Sequence, residues 1–287
     1  MSIVRKNRVV DIDELKRDEI LKFLNENYEF ILHDDSVALK EVIKIQDNIV
    51  DVSCEVKVIN NKIASLTGGL FDFSIVNGCF DCSNCDNLTS LEGTPKEVRG
   101  DFYCENCKKL ESLEGGPEKV GGSFICRNCT NLKSLEGAPK EVSGNFLCCG
   151  CNNLKSLKGV PKEVNWDFDC SDCPNLKSLE GAPEKIGGYF DCGYCEKLES
   201  LEGVPEKIAG YFNCSSCNNL TSLEGAPKEV NGYFDCRGCN NLTSLEGAPK
   251  KVRGNFYCSS CKNLTSLEGA PKVIKGKFIH DNVSQIK

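Results

Sequence analysis

The sequence predicts a solenoid with a sheet of about ten short parallel β-strands, on three observations. The 22-residue unit F-x-C-x-x-C-x-x-L-x-S-L-E-G-x-P-K-E-V-x-G-x repeats without insertion or deletion from Phe80 to Phe278. A strict period of this size is typical of solenoids, in which each unit stacks on its neighbour. Phe and the first Cys stand two positions apart, so both side chains lie on one face of a strand. The return path of roughly ten residues is shorter than a typical helix of about 11 residues, which favours turns and extended chain.

Residues 1–48 predict an N-terminal cap of a different kind. Apolar residues recur at helical spacing over residues 11–32, with charged residues on the other side, which predicts one helix. The segment 42–58 alternates and is rich in β-branched residues, as expected for a hairpin or two short strands. Residues 49–79 predict divergent first rungs, in which Asn61 takes a position that Cys occupies in later rungs.

Each rung of the regular body, residues 80–287, has a readable order of inward and outward positions. The segment Phe102-x-Cys104 predicts a short strand whose two side chains point inward. The second Cys, the two Leu residues and Val120 continue the inward set, and Glu114-Gly115-x-Pro117 supplies the turn. We expect one parallel sheet on the Phe side, with turns and extended segments on the return side.

Composition limits the kinds of partner and the compartment. A net charge of −7 argues against a broad electrostatic grip on nucleic acid or anionic membrane, so neither is expected as a direct partner. No apolar run reaches the about 18 residues of a membrane-spanning helix, and no apolar segment follows the basic residues near the start. The 21 cysteines then indicate a reducing compartment with free thiols, which predicts a cytoplasmic protein.

Nine C-x-x-C pairs run from Cys82/Cys85 to Cys258/Cys261, and two interpretations of them compete. Consecutive pairs match the spacing of a four-cysteine zinc site. The other interpretation makes both cysteines small buried residues of each rung. The strict phase of the pairs with Phe, Leu and Val favours this structural ladder, as does an odd number of pairs that cannot form complete sets of four ligands. We therefore predict no metal and no cofactor.

Catalytic residues are scarce in this sequence. The chain has two histidines, His33 and His280, and they stand in the cap and in the last rung. No Cys-His or Ser-His-Asp arrangement is indicated, and the glycines occur at fixed repeat phases that serve turns. The sequence therefore predicts a protein that is not an enzyme.

The outward positions beside each inward Phe and Cys vary from rung to rung, and they carry the candidate binding site. They form an apolar patch followed by a tyrosine ladder with aspartates around it, and a tryptophan stands where every other rung has glycine. Aromatic residues suit any sheet surface, but tyrosine and tryptophan beside acids are also typical of protein-binding hot spots. We favour the second interpretation and expect a protein partner with a basic or mixed surface. The candidate partner-binding residues are Trp166, Tyr189, Tyr211, Tyr233, Asp167, Asp169, Asp191, Asp235, Ile125 and Leu147.

The last rung ends soon after Phe278, and no capping element is visible beyond it. An open sheet edge invites pairing with another chain, and Lys275 and Lys277 are of the type that guards such edges. The sequence therefore predicts possible homodimerisation through this edge.

The repeat resembles two groups of known proteins over residues 49–280. Its Leu, Pro, Val and Phe spacing is similar to bacterial leucine-rich repeats of the secreted-effector type. The string L-T-S-L-E-G-A-P-K-E-V with G-x-F-x-C looks closer to repeat proteins of bacteriophages and their bacterial hosts. This chain departs from many of those relatives by having Cys where they have Asn, with one extra residue before Leu. The resemblance implies a leucine-rich-repeat solenoid and a phage-linked setting in the host cytoplasm.

Three functional hypotheses follow. The first is a phage-encoded inhibitor that occludes a host factor with its strand face, for example an anti-CRISPR protein directed at a nucleic-acid-binding nuclease. The second is a structural repeat protein that assembles in a virion or cell envelope. The third is a metal- or redox-binding protein that uses its cysteines.

Overall fold

The computed structural model describes residues 2–5, 8–32 and 39–281. Two helices and seven strands precede the regular rungs. They are β1 (Ser2–Arg5), β2 (Arg8–Asp11), α1 (Ile12–Asn27), β3 (Tyr28–Ile31), α2 (Leu39–Val42), β4 (Ile43–Gln46), β5 (Ile49–Val52), β6 (Glu55–Val58) and β7 (Asp72–Val76).

The predicted helix over residues 11–32 is wrong at its C-terminal end. The helix α1 stops at Asn27, and the next four residues form β3, which pairs antiparallel with β6. Tyr28 explains the change, because its ring is buried 5.6 Å from that of Phe73 and its hydroxyl donates to the carbonyl of Leu66. By pairing there, β3 covers the first edge of the Phe-side sheet, which would otherwise expose unpaired backbone groups. His33 lies outside the described residues.

The segment 42–58 forms the expected hairpin, β4 and β5, around Asp47 and Asn48 with φ of 51° and 63°. Two positive φ values at these positions are those of a type I′ turn, which matches the twist of a two-stranded hairpin. In the first rung Val56 pairs with Phe80, but Asn61 is exposed, so its expected inward position is wrong.

The regular body is a parallel β-solenoid with one rung per 22 residues, as the repeat predicted. Each rung is named here by its Phe. The Phe-side strands continue a 12-stranded sheet that begins at β3 and β6. They are β8 (Phe80–Asp81), β10 (Phe102–Tyr103), β12 (Phe124–Ile125), β14 (Phe146–Leu147), β16 (Phe168–Asp169), β18 (Phe190–Asp191), β20 (Phe212–Asn213), β22 (Phe234–Asp235), β24 (Phe256–Tyr257) and β26 (Phe278–Ile279).

The return side also forms parallel strands, where the sequence predicted only turns and extended segments. These nine strands are two residues long. The first five extend the sheet that begins with the β4–β5 hairpin and β7, and the last four form a separate four-stranded sheet. They are β9 (Glu97–Val98), β11 (Lys119–Val120), β13 (Glu141–Val142), β15 (Glu163–Val164), β17 (Lys185–Ile186), β19 (Lys207–Ile208), β21 (Glu229–Val230), β23 (Lys251–Val252) and β25 (Val273–Ile274).

Aromatic rings and thiols fill the space between the two sides. The rings of Phe102 and Phe124 lie 5.3 Å apart and nearly parallel, and similar contacts join the inward phenylalanines of neighbouring rungs. All nine C-x-x-C pairs are buried, so the cysteine ladder is confirmed. From Cys107 onward, the second thiol of each rung donates to the carbonyl of the first Cys of the preceding rung, with Sγ···O distances between 3.1 and 3.5 Å.

Cysteine suits this position because it is small and apolar and still carries a weak donor. Its S–H satisfies a carbonyl that would otherwise be buried without a partner, which costs about 1–3 kcal/mol. Burial also raises the pKa of several of these second thiols, that of Cys261 to about 12, and so keeps them protonated as donors.

Lys and Glu on the return face pair across rungs with alternating sign. We call return face the outward side chains of the return strands: the two residues before each inward Val or Ile and the one after it. Lys119 lies 3.0 Å from Glu141, and Lys162 lies 2.9 Å from Glu184. Such exposed pairs contribute about 0.2–1 kcal/mol each, so their main effect is on register.

Before residue 228 the alternation fails at two places, and the return sheet opens at both. Lys140-Glu141 is followed one period later by Lys162-Glu163, and Glu184-Lys185 is followed by Glu206-Lys207. At the first place only Val142 and Val164 remain paired, and at the second β17 and β19 are not paired at all. An open cleft of about 660 Å³ lies at each junction. Like charges placed opposite each other destabilise strand pairing, which accounts for both openings.

Candidate functional site

We call strand face the outward surface of the Phe-side sheet. It is formed by the residue before each Phe, the residue after it, and the residue three positions after it. Because the strands are parallel and in register, each of these positions makes a column that runs along the solenoid. All ten candidate residues except Trp166 belong to these columns.

Tyr189, Tyr211 and Tyr233 form a stacked ladder in the column before Phe. Their ring centroids lie 4.4 and 4.5 Å apart, with interplanar angles of 9° and 6°. The ring of Tyr257 meets Tyr233 edge-on at 5.9 Å and ends the stack. All three ladder residues are half-buried, so their edges and hydroxyls face outward as one rigid aromatic strip.

This ladder interrupts a row of hydrogen bonds that the same column makes elsewhere. The side chain of Asn145 accepts from the backbone N–H of Asp167 at 3.0 Å, and Asp167 accepts from that of Tyr189 at 2.9 Å. Asp101 and Ser123 do the same in earlier rungs, and Asn255 does so again after the ladder. A tyrosine ring offers no acceptor at that position, so in these rungs stacking between rings replaces the hydrogen bonds from side chain to backbone.

Aspartates that make no ion pair among the described residues lie in the column next to the ladder. Asp169 and Asp191 are register partners on neighbouring strands, which places two acids side by side. Burial raises the pKa of Asp191 to about 6, although the backbone N–H of Gly193 and the side chain of Asn213 donate to it. Burial, then the nearby Asp169, also raise the pKa of Asp172. In the described part of the chain, the aspartates with an ion pair are Asp86 and Asp235, so these acids are not neutralised.

Two of the ten candidates are not placed as the sequence predicted. Asp235 is only 3% exposed and accepts hydrogen bonds from Nε of Arg237 at 3.0 and 2.9 Å, so it is not free to meet a partner. Arg237 also lies 4.9 Å from the centre of the Tyr257 ring. Leu147 is 5% exposed and Ile125 is half-buried, so the predicted apolar patch offers little contact surface.

Two exposed aromatic side chains stand at the margins of the acidic strip. Trp166 is 61% exposed, at the position where every other rung has Gly. Tyr194 is 55% exposed, has a φ of 60°, and lies outside the three outward columns. The other regular rungs have Asn, Asp, Ser or Gly at this left-handed position, which a tyrosine adopts only with strain. That departure from the repeat was the signal that could have identified it.

Gly193 places no side chain on the strand face beside Asp191. It stands in the column where its neighbours are Ser171 and Ser215. A Cβ at this position would lie 2.8 Å from the amide nitrogen of Asn213, so a larger residue would crowd the bond from Asn213 to Asp191. Along the chain, the acid column lies between the position of Trp166, which precedes it in a rung, and that of Tyr194, which follows it.

The described residues were also compared with the requirements of a metal site and of a membrane-spanning helix. No group of three or more His, Cys, Asp or Glu side chains there is placed to hold a metal ion. His280 is exposed in the last rung, beside the ring of Phe278. None of the helices in the described ranges is long and apolar enough to cross a membrane.

A scan against protein-family models gave no match, and searches of curated proteins and of solved structures returned no significant match. The functional inference for this chain therefore depends on the geometry of its own residues.

Proposed function

We propose that this protein is a non-enzymatic scaffold that binds a protein partner with a basic or mixed surface through its strand face. The binding strip contains Trp166, the ladder Tyr189, Tyr211 and Tyr233, and the acids Asp167, Asp169 and Asp191. The observation that carries this proposal is the pair Asp169 and Asp191, which lies un-neutralised beside a rigid aromatic strip.

The adjacent acids of the strip lower the stability of the free protein, and they are available to bind a cationic partner. Adjacent like charges destabilise a sheet, and the ladder gives up side-chain bonds to the backbone. A Lys or Arg of a partner would relieve the repulsion between the acids, and it would meet the outward hydroxyls of the ladder, which can accept hydrogen bonds. Tyr and Trp anchors in such surfaces commonly contribute at least about 2 kcal/mol each to binding.

The resemblance to phage repeat proteins supports a more specific role. In this role the protein is phage-encoded, works in the host cytoplasm, and inhibits a host factor by covering its functional surface. A nucleic-acid-binding host protein, such as a guided nuclease of a defence system, has the basic surface that this strip complements.

An affinity purification from bacterial host lysate tests the proposal. We expect the wild-type chain to retain a partner and the triple variant Tyr189→Ala, Tyr211→Ala, Tyr233→Ala to lose it. The expected loss in affinity with the identified partner is at least about tenfold by titration calorimetry. Tyr103→Ala is the matched control, since it removes a half-buried tyrosine from the same face several rungs away. A folded triple variant that keeps every partner would refute the assigned surface.

Self-association through the C-terminal edge stays a prediction, and the edge concerned is β26, the end strand of the Phe-side sheet. It would favour the structural role, and sedimentation over a range of protein concentrations measures it.

A further inference from the structure

A second surface of this molecule carries the opposite charge from the strand-face strip. Residues 248–281 contain seven Lys or Arg and two Asp or Glu, a difference of +5 in a chain of net charge −7. Five of these cations lie on the return face at β23 and β25. We call them the basic patch: Lys250, Lys251, Arg253, Lys272 and Lys275.

The basic patch arises because the Lys and Glu alternation stops there. In most earlier rungs, a Lys of the return face has a Glu one period before or after it. Lys250 is instead followed one period later by Lys272, and Lys251 is followed by Val273. The third column adds Arg253 and Lys275, where the rungs from 121 to 231 have Gly, Ser, Asn or Ala.

Little within the described residues neutralises these charges. Lys251 lies 3.7 Å from Glu229, and the other four cations make no ion pair there. All four are exposed. Because like charges on neighbouring strands destabilise a sheet, the patch does not serve the stability of the solenoid.

The shape and chemistry of the patch indicate its occupant. Neighbouring rungs are about 4.8 Å apart, and Lys250 and Arg253 are about 10 Å apart along the strand, so five cations share a small area. The patch contains no aromatic residue, whereas protein-binding hot spots are rich in Tyr and Trp. Lys and Arg side chains contact the phosphate backbone of a nucleic acid, and such contacts do not read the bases.

We propose that the basic patch binds the phosphate backbone of a nucleic acid, without base selectivity. Two or three phosphates fit a patch of this size. The contact is local, because the rest of the chain is acidic and repels the strand beyond the patch. This inference is independent of the proposed protein-binding strip, which lies on the other face.

Fluorescence anisotropy with a labelled single-stranded DNA oligonucleotide of mixed sequence tests the proposal. We expect salt-dependent binding that weakens roughly tenfold between about 50 mM and about 200 mM salt, as displacement of counterions from two or three phosphates requires. The variant Lys250→Gln, Lys272→Gln, Lys275→Gln should lose most of this affinity at the lower salt concentration.

A matched control distinguishes the effect of the basic patch on DNA binding from the effect of the protein's net charge. The variant Lys44→Gln, Lys57→Gln, Lys155→Gln removes the same charge at exposed lysines elsewhere and should bind as the wild type does. The tyrosine triple variant should also keep its affinity for DNA. The proposal is wrong if a folded patch variant binds equally well, if the control loses as much, or if polyglutamate competes as effectively as DNA.

Discussion

At the scale of the residue, a neighbour two positions along the chain decides what an aspartate of the strand face can do. Asp169, Asp191 and Asp235 occupy one column, and each accepts a hydrogen bond from the backbone N–H two residues later. At Asp235 that residue is arginine, which neutralises the carboxylate. At Asp191 it is Gly193, which supplies no charge. The same residue type is therefore a closed ion pair in one rung and an open acid in another.

The half-buried, un-neutralised state of Asp191 predicts a pH-dependent stability. Its folded pKa of about 6 lies above the unfolded value of about 3.9, so the folded state holds the proton between these values. This contribution favours folding at low pH and is lost as pH rises through about 6. Asp191→Asn should therefore stabilise the protein at pH near 7.5 by about 1–3 kcal/mol and change little near pH 4.

Urea denaturation at the two pH values measures this effect. Asp72→Asn, at an exposed carboxylate, serves as the control and should change stability little at either pH. An Asp191→Asn variant that is less stable than the wild type at pH near 7.5 would contradict the burial-based explanation.

The candidate site could be predicted from the sequence only in part, because side-chain pairing is not visible in a column of letters. The repeat phase correctly placed Tyr189, Tyr211 and Tyr233 in one column. It did not show that Arg237 folds back onto Asp235 within the same rung, or that Leu147 is covered.

At the scale of the element, the local spacing of residues predicted the rungs. The end of α1, the strand β3 and the return strands depend on pairing with distant parts of the chain. The spacing of Phe, Cys, Leu and Val fixes which residues of a rung point inward, and the structure agrees. The end of α1 could not be read from periodicity, because β3 exists only through its pairing with β6. The return strands were missed for a similar reason, since a two-residue strand is defined by hydrogen bonds to a rung 22 residues away.

The two openings of the return sheet predict fast local hydrogen exchange. The amides of Gly187 and Asn231 donate to the carbonyls of Val164 and Ile208 at 3.0 Å. The equivalent bonds from Asn165 to Val142 and from Ala209 to Ile186 do not form in the described structure. Residue-resolved exchange by NMR should therefore show at least about tenfold faster exchange at Asn165 and Ala209 than at Gly187 and Asn231.

The paired amides are internal controls, because they occupy the same phase of the same face. Raising the salt concentration should reduce the difference, since salt screens the repulsion between exposed like charges. Equal protection at all four amides would show that the like-charge junctions are closed in solution.

At the scale of the whole molecule, stability is a sum over neighbouring rungs. A single rung orders 22 residues and buries too few side chains to offset the entropy of that ordering, so only stacked rungs are stable. The inward Phe and Cys positions are equivalent along the body, and the core continues through every described rung. The outward columns are not equivalent, so the body is uniform inside and divided into an acidic aromatic strip and a basic patch outside.

This separation predicts that a whole rung can be deleted without unfolding the body. Deleting residues 212–233 joins Tyr211 to Phe234 in the original phase and shortens the tyrosine ladder from three members to two. Deleting residues 102–123 removes an equal length and joins Asp101 to Phe124, but it leaves the ladder whole. Both variants should melt cooperatively by circular dichroism at similar, slightly lowered temperatures, because each loses one rung and one interface. Only the first should bind the partner more weakly, by about 1–2 kcal/mol for one lost aromatic anchor. Equal binding by the two deletion variants would mean that the ladder does not contact the partner, and loss of folding in either would mean that the rungs are not interchangeable.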